Sequence, residues 1–318
     1  MLLHLEYDLI LIKYVKILKR DSPRKMITPT LKKNHTIAIF NVSDRPAIIT
    51  KNELTAGVVF LKKMGFKPKI YNKSFNKNIN ITEIKSQLHK IFEDKNINGI
   101  IFSSGGTQAI QILKYLDYEI IKKQPKFVMG FSDCTHILQA ITQKCNFVTF
   151  HGPTIRNIAK WTKKTQNSFI DFAVKKENIN YSIDKNAHIY NTGQAKGESF
   201  VGNDVCNLAV ITTLKLNDFR NKILFIENHS DQDPDMVEYW FSWYASLGIL
   251  DQVKGVIFGN YLLKNKKTIL RKFYNTYLSH LNIPVASVDF FGEGENYPIP
   301  NGAKTFLDLK NKKISFYR

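Results

Sequence analysis

The chain has 318 residues, with 46 Lys plus Arg against 27 Asp plus Glu and a formal net charge of +19. That length is enough for about two domains with separate cores, and a hydrophobic fraction of 43% excludes a disordered polycation. Only 7 of the basic residues are arginine, and the basic residues divide 24 and 22 on either side of residue 150. Because the charge is spread over both halves, a solvated lysine-rich surface explains it better than a nucleic-acid-binding face.

Residues 1–25 are predicted to be a basic leader that is not part of the fold. The apolar run at 9–12 is followed by Lys13, Lys16, Lys19 and Arg20, so it is too short to span a membrane, and no small-residue cleavage site follows. An amphipathic helix on a membrane surface is the alternative. We favour an appended or mis-started leader before Met26.

Residues 26–158 alternate between apolar strands and helices. Strands are predicted at 36–40, 67–71, 98–102, 127–129 and 147–150. Helices are predicted to begin after the N-caps Asn52 and Thr82, and Gly65 ends the first of them. Two further helices are predicted, one ending near residue 115 and one over 132–142. This alternation indicates βαβ units, and therefore a doubly wound α/β domain with a parallel sheet.

The second half is predicted to be a separate domain, residues 187–318, joined through a polar linker at 159–186. Strands are predicted at 223–226 and 255–258, and short strands around a Gly- and Pro-rich loop at 291–302. A helix is predicted to begin at Asp233-Pro234 and to end at Gly248. Its apolar stripe is expected to face the core, and consists of Val237, Trp240, Phe241, Tyr244 and Leu247.

The most informative local motif is Gly130-Phe131-Ser132-Asp133, between a predicted strand and a helix. A serine on such a turn projects its hydroxyl from the sheet edge, and the helix N-terminus supplies N–H groups for an oxyanion. This is typical of a nucleophile. The alternative is that Ser132 only caps the helix.

Three other segments could contribute to a site. Ser104-Gly105-Gly106-Thr107 could bind an anion through backbone N–H groups, or could be only a tight turn. Glu227 ends a strand, where ligands of α/β folds bind, and His229 follows it; the alternative is a solvated acid. Gly292-Glu293-Gly294-Glu295 is a loop with two acids, which could equally be a solvated turn.

Taken in order, these segments resemble the LD-carboxypeptidase family of serine peptidases, which includes muropeptide LD-carboxypeptidases and microcin C self-immunity peptidases. The resemblance extends from about residue 27 to residue 309. The segments that carry it are FLKKMGFK, the Gly-Gly loop with YLDYEII, PKFVMGFSD, TFHGP, VGND..NL, ILFIEN, LGIL, GVIFGNY and P.PNGA..FLD.

The resemblance implies a doubly wound N-terminal domain that carries the nucleophile, and a smaller β-rich C-terminal domain. Ser132 matches the nucleophile of the family's G-[YF]-S-D motif, and Glu227 matches the acid of its Ser-His-Glu triad. Gly106 and the backbone N–H of Asp133 match the oxyanion hole. Gly105 and Asn203 are expected to contact substrate.

The sequence departs from the family at the triad histidine, because Glu293 stands where that histidine is expected. Glutamate has an ordinary pKa of about 4.3 and is less basic than histidine at about 6.5. Glu227 and Glu293 would also be neighbouring carboxylates, and their repulsion would raise one pKa. Three interpretations follow: Glu293 acts as the base, His229 or His151 substitutes, or the protein is a weak or inactive paralogue that keeps a peptide cleft.

We therefore expect a serine hydrolase that cleaves an amide next to a free carboxylate, such as the D-alanine terminus of a recycled muropeptide. The alternatives are an inactive peptide-binding paralogue and an aminoacyl-nucleotide amidase of the microcin C type. The expected partner is a small peptide or muropeptide, with no metal, cofactor, nucleic acid or stable membrane insertion; a homodimer is left open. The three cysteines, Cys134, Cys145 and Cys206, are too few for a disulfide framework, which favours the cytoplasm.

Overall fold

The computed structural model describes residues 28–43, 49–71, 80–175, 178–184, 187–228, 233–261, 263 and 265–317. The predicted leader, residues 1–25, lies outside them. In the described part of the chain, no helix combines the length and the apolar character needed to cross a membrane.

The first sheet is the parallel sheet that the alternating pattern predicts. The elements that build it are, in chain order, β1 (Thr36–Phe40), α1 (Lys51–Lys63), β2 (Lys67–Ile70), α2 (Ile81–Glu93), β3 (Ile97–Phe102), α3 (Tyr118–Lys123), β4 (Phe127–Gly130), α4 (Thr135–Cys145), β5 (Thr149–His151) and β12 (Ile299–Asn301). Its strands occur in the order β12-β5-β4-β3-β1-β2, and the first five along the chain are parallel while β12 is antiparallel to β5.

Both faces of this sheet are covered, because successive strand residues belong to two different cores. Ile101 and Met129 pack on the α1 side, whereas Ile100 and Val128 pack on the side of α2 and α4. The fold is therefore doubly wound, as predicted. The segment after the Gly-Gly loop is a 3₁₀ helix, Ala109–Tyr115, and three further short non-α turns occur at Ser132–Cys134, Ile155–Lys160 and Tyr274–Leu278.

Two predicted N-caps were wrong by two residues. Thr50 caps α1 through a reciprocal capping box with Glu53, and Asn80 caps α2, so Asn52 and Thr82 lie inside the first turns. In both cases the sequence offers two capping residues two positions apart, and the earlier one is used. The end of α1 is as predicted, since Gly65 follows it with a φ of +85°.

The second sheet is mixed and larger. Its order is β6-β14-β13-β8-β9-β10-β11-β7, with β8 to β11 parallel at the centre. Its elements are β6 (Ile179–Ser182), β7 (His188–Asn191), β8 (Gln194–Asn203), α6 (Asp204–Leu214), β9 (Lys222–Glu227), α7 (Pro234–Ser246), β10 (Gly255–Asn260), α8 (Lys266–Phe273), β11 (Val285–Gly292), β13 (Lys304–Asp308) and β14 (Lys313–Tyr317).

Helix α7 begins at Asp233-Pro234 and is followed by Gly248, as predicted. Of its apolar stripe, Val237, Phe241 and Tyr244 are buried, but Leu247 is 45% exposed, so the prediction for Leu247 was wrong. Leu247 lies just past the last helical residue, and Ile249 and Leu250 after it are buried in its place.

The segment predicted as a linker, 159–186, is itself folded. It contains helix α5 (Lys163–Ala173) and β6, which pairs with β14 of the second sheet. The two sheets are also connected directly, because β12 leaves the C-terminal part of the chain to pair with β5. Gln139 on α4 adds a second connection, since its Nε2 donates to the carbonyl of Val201 and to Asn207 Oδ1, both at 3.0 Å.

Candidate active site

Ser132 lies on a strained turn between β4 and α4. Its φ is +60°, a left-handed conformation that a residue with a side chain rarely adopts, and its side chain remains partly accessible. It makes no side-chain capping bond to the helix, whose N-cap position is Cys134. The geometry is that of a projecting hydroxyl rather than a helix cap. Because Ser132 is the candidate nucleophile, we call residues 130–135 the nucleophile turn.

The Gly-Gly loop after β3 lies against this turn. A Cβ atom at Gly105 would be 3.0 Å from both Cβ and Oγ of Ser132 and 3.6 Å from the Asp133 nitrogen. The backbone at Gly105 therefore faces the space around the Ser132 hydroxyl, and only glycine leaves that space open. The next residue, Gly106, is half-buried in the same loop.

The side chain of Asp133 fixes the loop to the turn. Its Oδ2 accepts hydrogen bonds from the Gln108 and Ala109 nitrogens, at 3.0 and 2.9 Å, and its Oδ1 is 3.0 Å from His136 Nδ1. Burial alone would raise the pKa of Asp133, but the hydrogen bonds from His136 and Ala109 outweigh it and hold the pKa below its ordinary value. Asp133 is thus a buried, ionised anchor.

Asp133, His136 and Cys206 are the one group in the described part of the chain with potential metal ligands close together, within 4.8 Å. Asp133 and His136 are hydrogen-bonded to each other, however, and burial raises the pKa of the Cys206 thiol well above its ordinary value. The contact described within this group is the hydrogen bond between Asp133 and His136.

Glu227 is the last residue of β9 and is only 1% exposed. Two glycines make room for it: a Cβ atom at Gly259 would be 2.9 Å from Glu227 Cβ, and one at Gly292 would be 2.8 Å away. Gly292 also has a φ of +106°, which turns the chain into the loop that carries Glu293. The ends of β10 and β11 therefore enclose Glu227.

His151, the last residue of β5, lies between the two sheets beside these acids. Its Nε2 is 3.5 Å from Glu227 Oε1, and the charge of Glu293 acts on it. Burial lowers the pKa of His151 to about 3, although Glu293 acts in the opposite direction. Within the described residues neither ring nitrogen has a well-formed hydrogen bond. We call Glu227, Glu293 and His151 the acid corner.

The loop of Glu293 is held by neighbouring side chains. Asn260 Nδ2 donates to the Glu293 carbonyl oxygen at 2.5 Å, and Lys266 Nζ donates to Asn260 Oδ1 at 3.0 Å. Thr162 Oγ1 donates to Glu295 Oε1 at 2.5 Å, which ties the loop to the start of α5. Unlike Glu227, Glu293 is only partly buried.

Asn203 joins the nucleophile turn to the acid corner. It pairs with Glu227 in the β8–β9 register, and its nitrogen donates to Thr135 Oγ1 at 3.3 Å. Its side chain caps α6 by accepting from the Cys206 nitrogen. Gly202 before it allows the contact, because a Cβ there would be 2.3 Å from Thr135 Cγ2.

The structure thus brings Gly105 and Asp133 to Ser132, and brings the alternative His151 to Glu227, with the charge of Glu293 acting on His151. The other alternative, His229, lies outside the described residues. The sequence did not predict a role for Asp204 or Asn228, which lie directly behind Glu227. The available signal was that each is a polar residue adjoining a predicted site residue.

The chain matches the profile of the LD-carboxypeptidase N-terminal domain over residues 37–152 and that of the LD-carboxypeptidase C-terminal domain over residues 196–307. The chain belongs to the LD-carboxypeptidase family. As an LD-carboxypeptidase family member, it belongs among serine peptidases; the first profile match covers the five parallel strands of the first sheet, and the second match covers the central strands of the second sheet.

Relatives come from both branches of this family. The microcin C7 self-immunity protein MccF of Escherichia coli is 26% identical over 88% of this chain and 92% of its own length. The structure of MccF in complex with glutamyl sulfamoyl guanosine aligns with a TM-score of 0.82 at 23% identity, covering 93% and 99% of the two chains. The muramoyltetrapeptide carboxypeptidase of Oxalobacter formigenes aligns with a TM-score of 0.75 at 22% identity, covering 88% and 97%. The two structures establish the shared fold.

Proposed function

We propose that this LD-carboxypeptidase family member is a serine hydrolase that cleaves an amide next to a free carboxylate, such as the terminal D-alanine of a recycled muropeptide. The observation that carries the proposal is the strained, partly accessible Ser132 beside the open backbone of Gly105. A serine that only capped a helix would not need this conformation. Glu227, buried at the end of β9, and the partly buried Glu293, which directly follows β11, supply the rest of a candidate catalytic set.

In the proposed reaction the Ser132 hydroxyl attacks the amide carbonyl and forms a tetrahedral intermediate. The backbone N–H groups of Gly106 and Asp133 stabilise its oxyanion. The proton from Ser132 passes to the acid corner and then to the leaving amine, which departs and leaves an acyl-enzyme. Water hydrolyses this ester by the reverse sequence of proton transfers. Gly105 and Asn203 are proposed to contact substrate.

Glu293 is the proposed proton acceptor, and its partial exposure supports this choice. His151 Nε2 lies 3.5 Å from Glu227 Oε1, but burial lowers the pKa of His151 to about 3, so it is a weak base at neutral pH. Glu227 would then orient the acid corner and balance its charge. If none of Glu293, His151 and His229 accepts the proton, the protein is an inactive paralogue that retains a peptide cleft.

A microcin-type activity is the second candidate, and the match to MccF over 88% of the chain favours it. In that case the scissile amide would join an amino acid to a sulfamoyl or phosphoramidate nucleotide. The same nucleophile and oxyanion hole would serve both substrates, so the two candidates differ only in what occupies the rest of the cleft.

The test is hydrolysis of two substrates by purified protein, with Ser132→Ala as the control. We expect D-alanine release from a muramoyl tetrapeptide by the wild type and at least about 10³-fold less by Ser132→Ala. Release of an amino acid from glutamyl sulfamoyl adenosine, without D-alanine release, would instead establish the second candidate. Binding of either substrate without turnover would identify the inactive paralogue.

The proposed location is the cytoplasm, which the three unpaired, buried cysteines support. A homodimer stays a prediction that light scattering of the purified chain can test.

A further inference from the structure

Ser43 is a buried serine that follows β1 at the carboxyl edge of the first sheet, and it is 2% exposed. β1, β3 and β4 are neighbours in that sheet, so their carboxyl ends bring three segments side by side. These segments carry Ser43, the Gly-Gly loop and Ser132. In α/β folds this is the edge at which ligands bind. A buried hydroxyl here needs hydrogen-bond partners, and those partners show which segments it joins.

The Ser43 hydroxyl oxygen accepts two backbone hydrogen bonds from the Gly-Gly loop. The donors are the nitrogens of Thr107 and Gln108, at 3.0 and 3.1 Å. The Gln108 nitrogen is shared with Asp133 Oδ2, which lies at 3.0 Å. The two nitrogens that directly follow Gly106 are therefore both held, and they fix the direction in which the chain passes Gly106.

The hydroxyl proton of Ser43 has an acceptor in the Asp133 carboxylate. Burial would raise the pKa of this carboxyl, whereas hydrogen bonds from His136, Ala109 and Ser43 hold it below its ordinary value. Because the Ser43 oxygen already accepts two N–H groups, donation to the carboxylate satisfies the remaining hydrogen-bonding capacity of the hydroxyl. Ser43 thus joins the loop after β3 to the nucleophile turn after β4.

The backbone of Ser43 is itself fixed. Asn41 Oδ1 accepts from the Ser43 nitrogen at 3.3 Å, and Asn41 Nδ2 donates to the Ser43 carbonyl oxygen at 2.5 Å. The Phe40 carbonyl oxygen accepts from the Ser103 nitrogen at 2.8 Å, which extends the contact between β1 and β3 up to the base of the Gly-Gly loop. The position of the Ser43 hydroxyl is therefore set by the ends of two paired strands.

We propose that Ser43 is a positioning residue for the oxyanion hole, because its hydroxyl holds the Gly-Gly loop where the Gly106 N–H meets the oxyanion formed at Ser132. This inference rests on the proposed hydrolysis, in which the N–H groups of Gly106 and Asp133 stabilise that oxyanion. Ser43 acts through the loop and is assigned no contact with substrate. Since the oxyanion exists only in the tetrahedral intermediate, loss of this support lowers kcat and leaves KM nearly unchanged.

The first test is the rate at which a fluorophosphonate probe labels Ser132, corrected for the folded fraction measured by circular dichroism. The probe forms a tetrahedral adduct whose oxygen occupies the oxyanion hole, so we expect Ser43→Ala to be labelled at least about tenfold more slowly than the wild type. Ser43→Thr and Ser43→Val have the same shape and differ in the hydroxyl, so the Thr variant is expected to be labelled at least about fivefold faster than the Val variant.

The matched control is Ser168→Ala, which removes another buried serine hydroxyl, from α5, where it donates to the Thr165 carbonyl oxygen. It is expected to be labelled at the wild-type rate. A wild-type rate in Ser43→Ala would overturn the inference, and so would equal rates in the Thr and Val variants. An equal slowing in Ser168→Ala would overturn it too, because the loss would then follow from any missing buried hydroxyl.

Release of D-alanine from a muramoyl tetrapeptide separates positioning from substrate binding. In Ser43→Ala we expect kcat to fall about tenfold or more and KM to stay within about twofold of the wild type. A raised KM with an unchanged kcat would overturn the inference, because Ser43 would then support binding of the substrate rather than its transition state.

The second test needs no reactivity at Ser132: hydrogen exchange of the loop amides is measured by mass spectrometry. In Ser43→Ala the Thr107 amide loses its acceptor, whereas the Gln108 amide keeps Asp133, so exchange at Thr107 is expected to be at least about tenfold faster than in the wild type. Equal exchange in the two proteins would overturn the inference. If Ser132 is never labelled in any variant, the proposed hydrolysis fails, and the exchange rates show separately whether Ser43 holds the loop.

Discussion

The nucleophile turn and the acid corner hold their side chains in different ways. Ser132 and Asp133 are fixed by backbone geometry, a left-handed φ and hydrogen bonds from the Gln108 and Ala109 nitrogens. Glu227 and His151 are instead enclosed by strand ends and glycines, and burial sets the protonation of His151. The turn is therefore sensitive to the volume of its neighbours, and the corner is sensitive to charge.

The largest effect is expected from adding one methyl group beside the turn. In Gly105→Ala, the new Cβ would be 3.0 Å from Ser132 Cβ and Oγ, so the hydroxyl or the loop must shift. We expect kcat/KM to fall about 10²-fold or more, because a donor or nucleophile displaced from a tetrahedral intermediate loses that much rate. Hydrolysis assays together with circular dichroism measure the loss and the integrity of the fold.

The matched control is Gly248→Ala, at a site with no heavy atom within 4 Å but a φ of +65°. It should cost about 1 kcal/mol of stability and leave kcat/KM unchanged. Full activity in Gly105→Ala would mean that the Gly-Gly loop does not define the space around Ser132.

A smaller effect is expected from changing charge at the acid corner. Glu293→Gln keeps the size of the side chain but removes its basicity, so kcat should fall about tenfold or more if Glu293 accepts the Ser132 proton. Glu293→His should restore a base of higher ordinary pKa and keep or raise kcat. Measuring kcat from about pH 5 to about pH 8.5 would show which ionisation the activity of each variant depends on.

Glu295→Gln is the control for Glu293, because it lies two residues away and can still accept the Thr162 hydrogen bond. It should leave kcat within about twofold of the wild type. An unchanged rate in Glu293→Gln would mean that Glu293 is not the proton acceptor and would leave His151 and His229 as the candidates.

The sequence predicted the strand, turn and helix around Ser132 well because the determinants of this arrangement are local. A strand, a glycine, a serine and a helix within ten residues specify the turn, and the structure adds the φ of Ser132 and the bonds to Asp133. The caps at Asn52 and Thr82 were wrong because local preference does not decide between two capping residues in one segment.

The acid corner was less predictable because it depends on the register of distant strands. His151 meets Glu227 only when β5 and β9 of different sheets approach, and Asp204 lies behind Glu227 only because Asn203 pairs with it. The prediction of a linker at 159–186 depended in the same way on contacts between distant strands. The weak periodicity of 159–186 reflects a short helix and an edge strand, and the pairing of that strand with β14 is a long-range contact.

The smallest effect is expected from removing the charge of Asp133, the buried anchor of the nucleophile turn. Asp133→Asn keeps one acceptor but loses the charge, so it should lower the free energy of unfolding by about 1 kcal/mol at neutral pH. Because the folded pKa of Asp133 lies below its ordinary value, its stabilisation is complete above that ordinary value and is lost as pH falls through the folded pKa. The gap between wild type and variant, measured by denaturant unfolding, should therefore close in acid.

Asp117→Asn provides the comparison, because Asp117 also accepts two backbone N–H groups but does so at the exposed start of α3. Asparagine caps a helix about as well as aspartate, so a change of only a few tenths of a kcal/mol is expected there. A gap for Asp133→Asn that stays constant from neutral pH into acid would show that the hydrogen-bonding shape of Asp133, and not its charge, holds the Gly-Gly loop against Ser132. Hydrogen-bond geometry without a contribution from charge would then hold the nucleophile turn, whereas charge governs the acid corner.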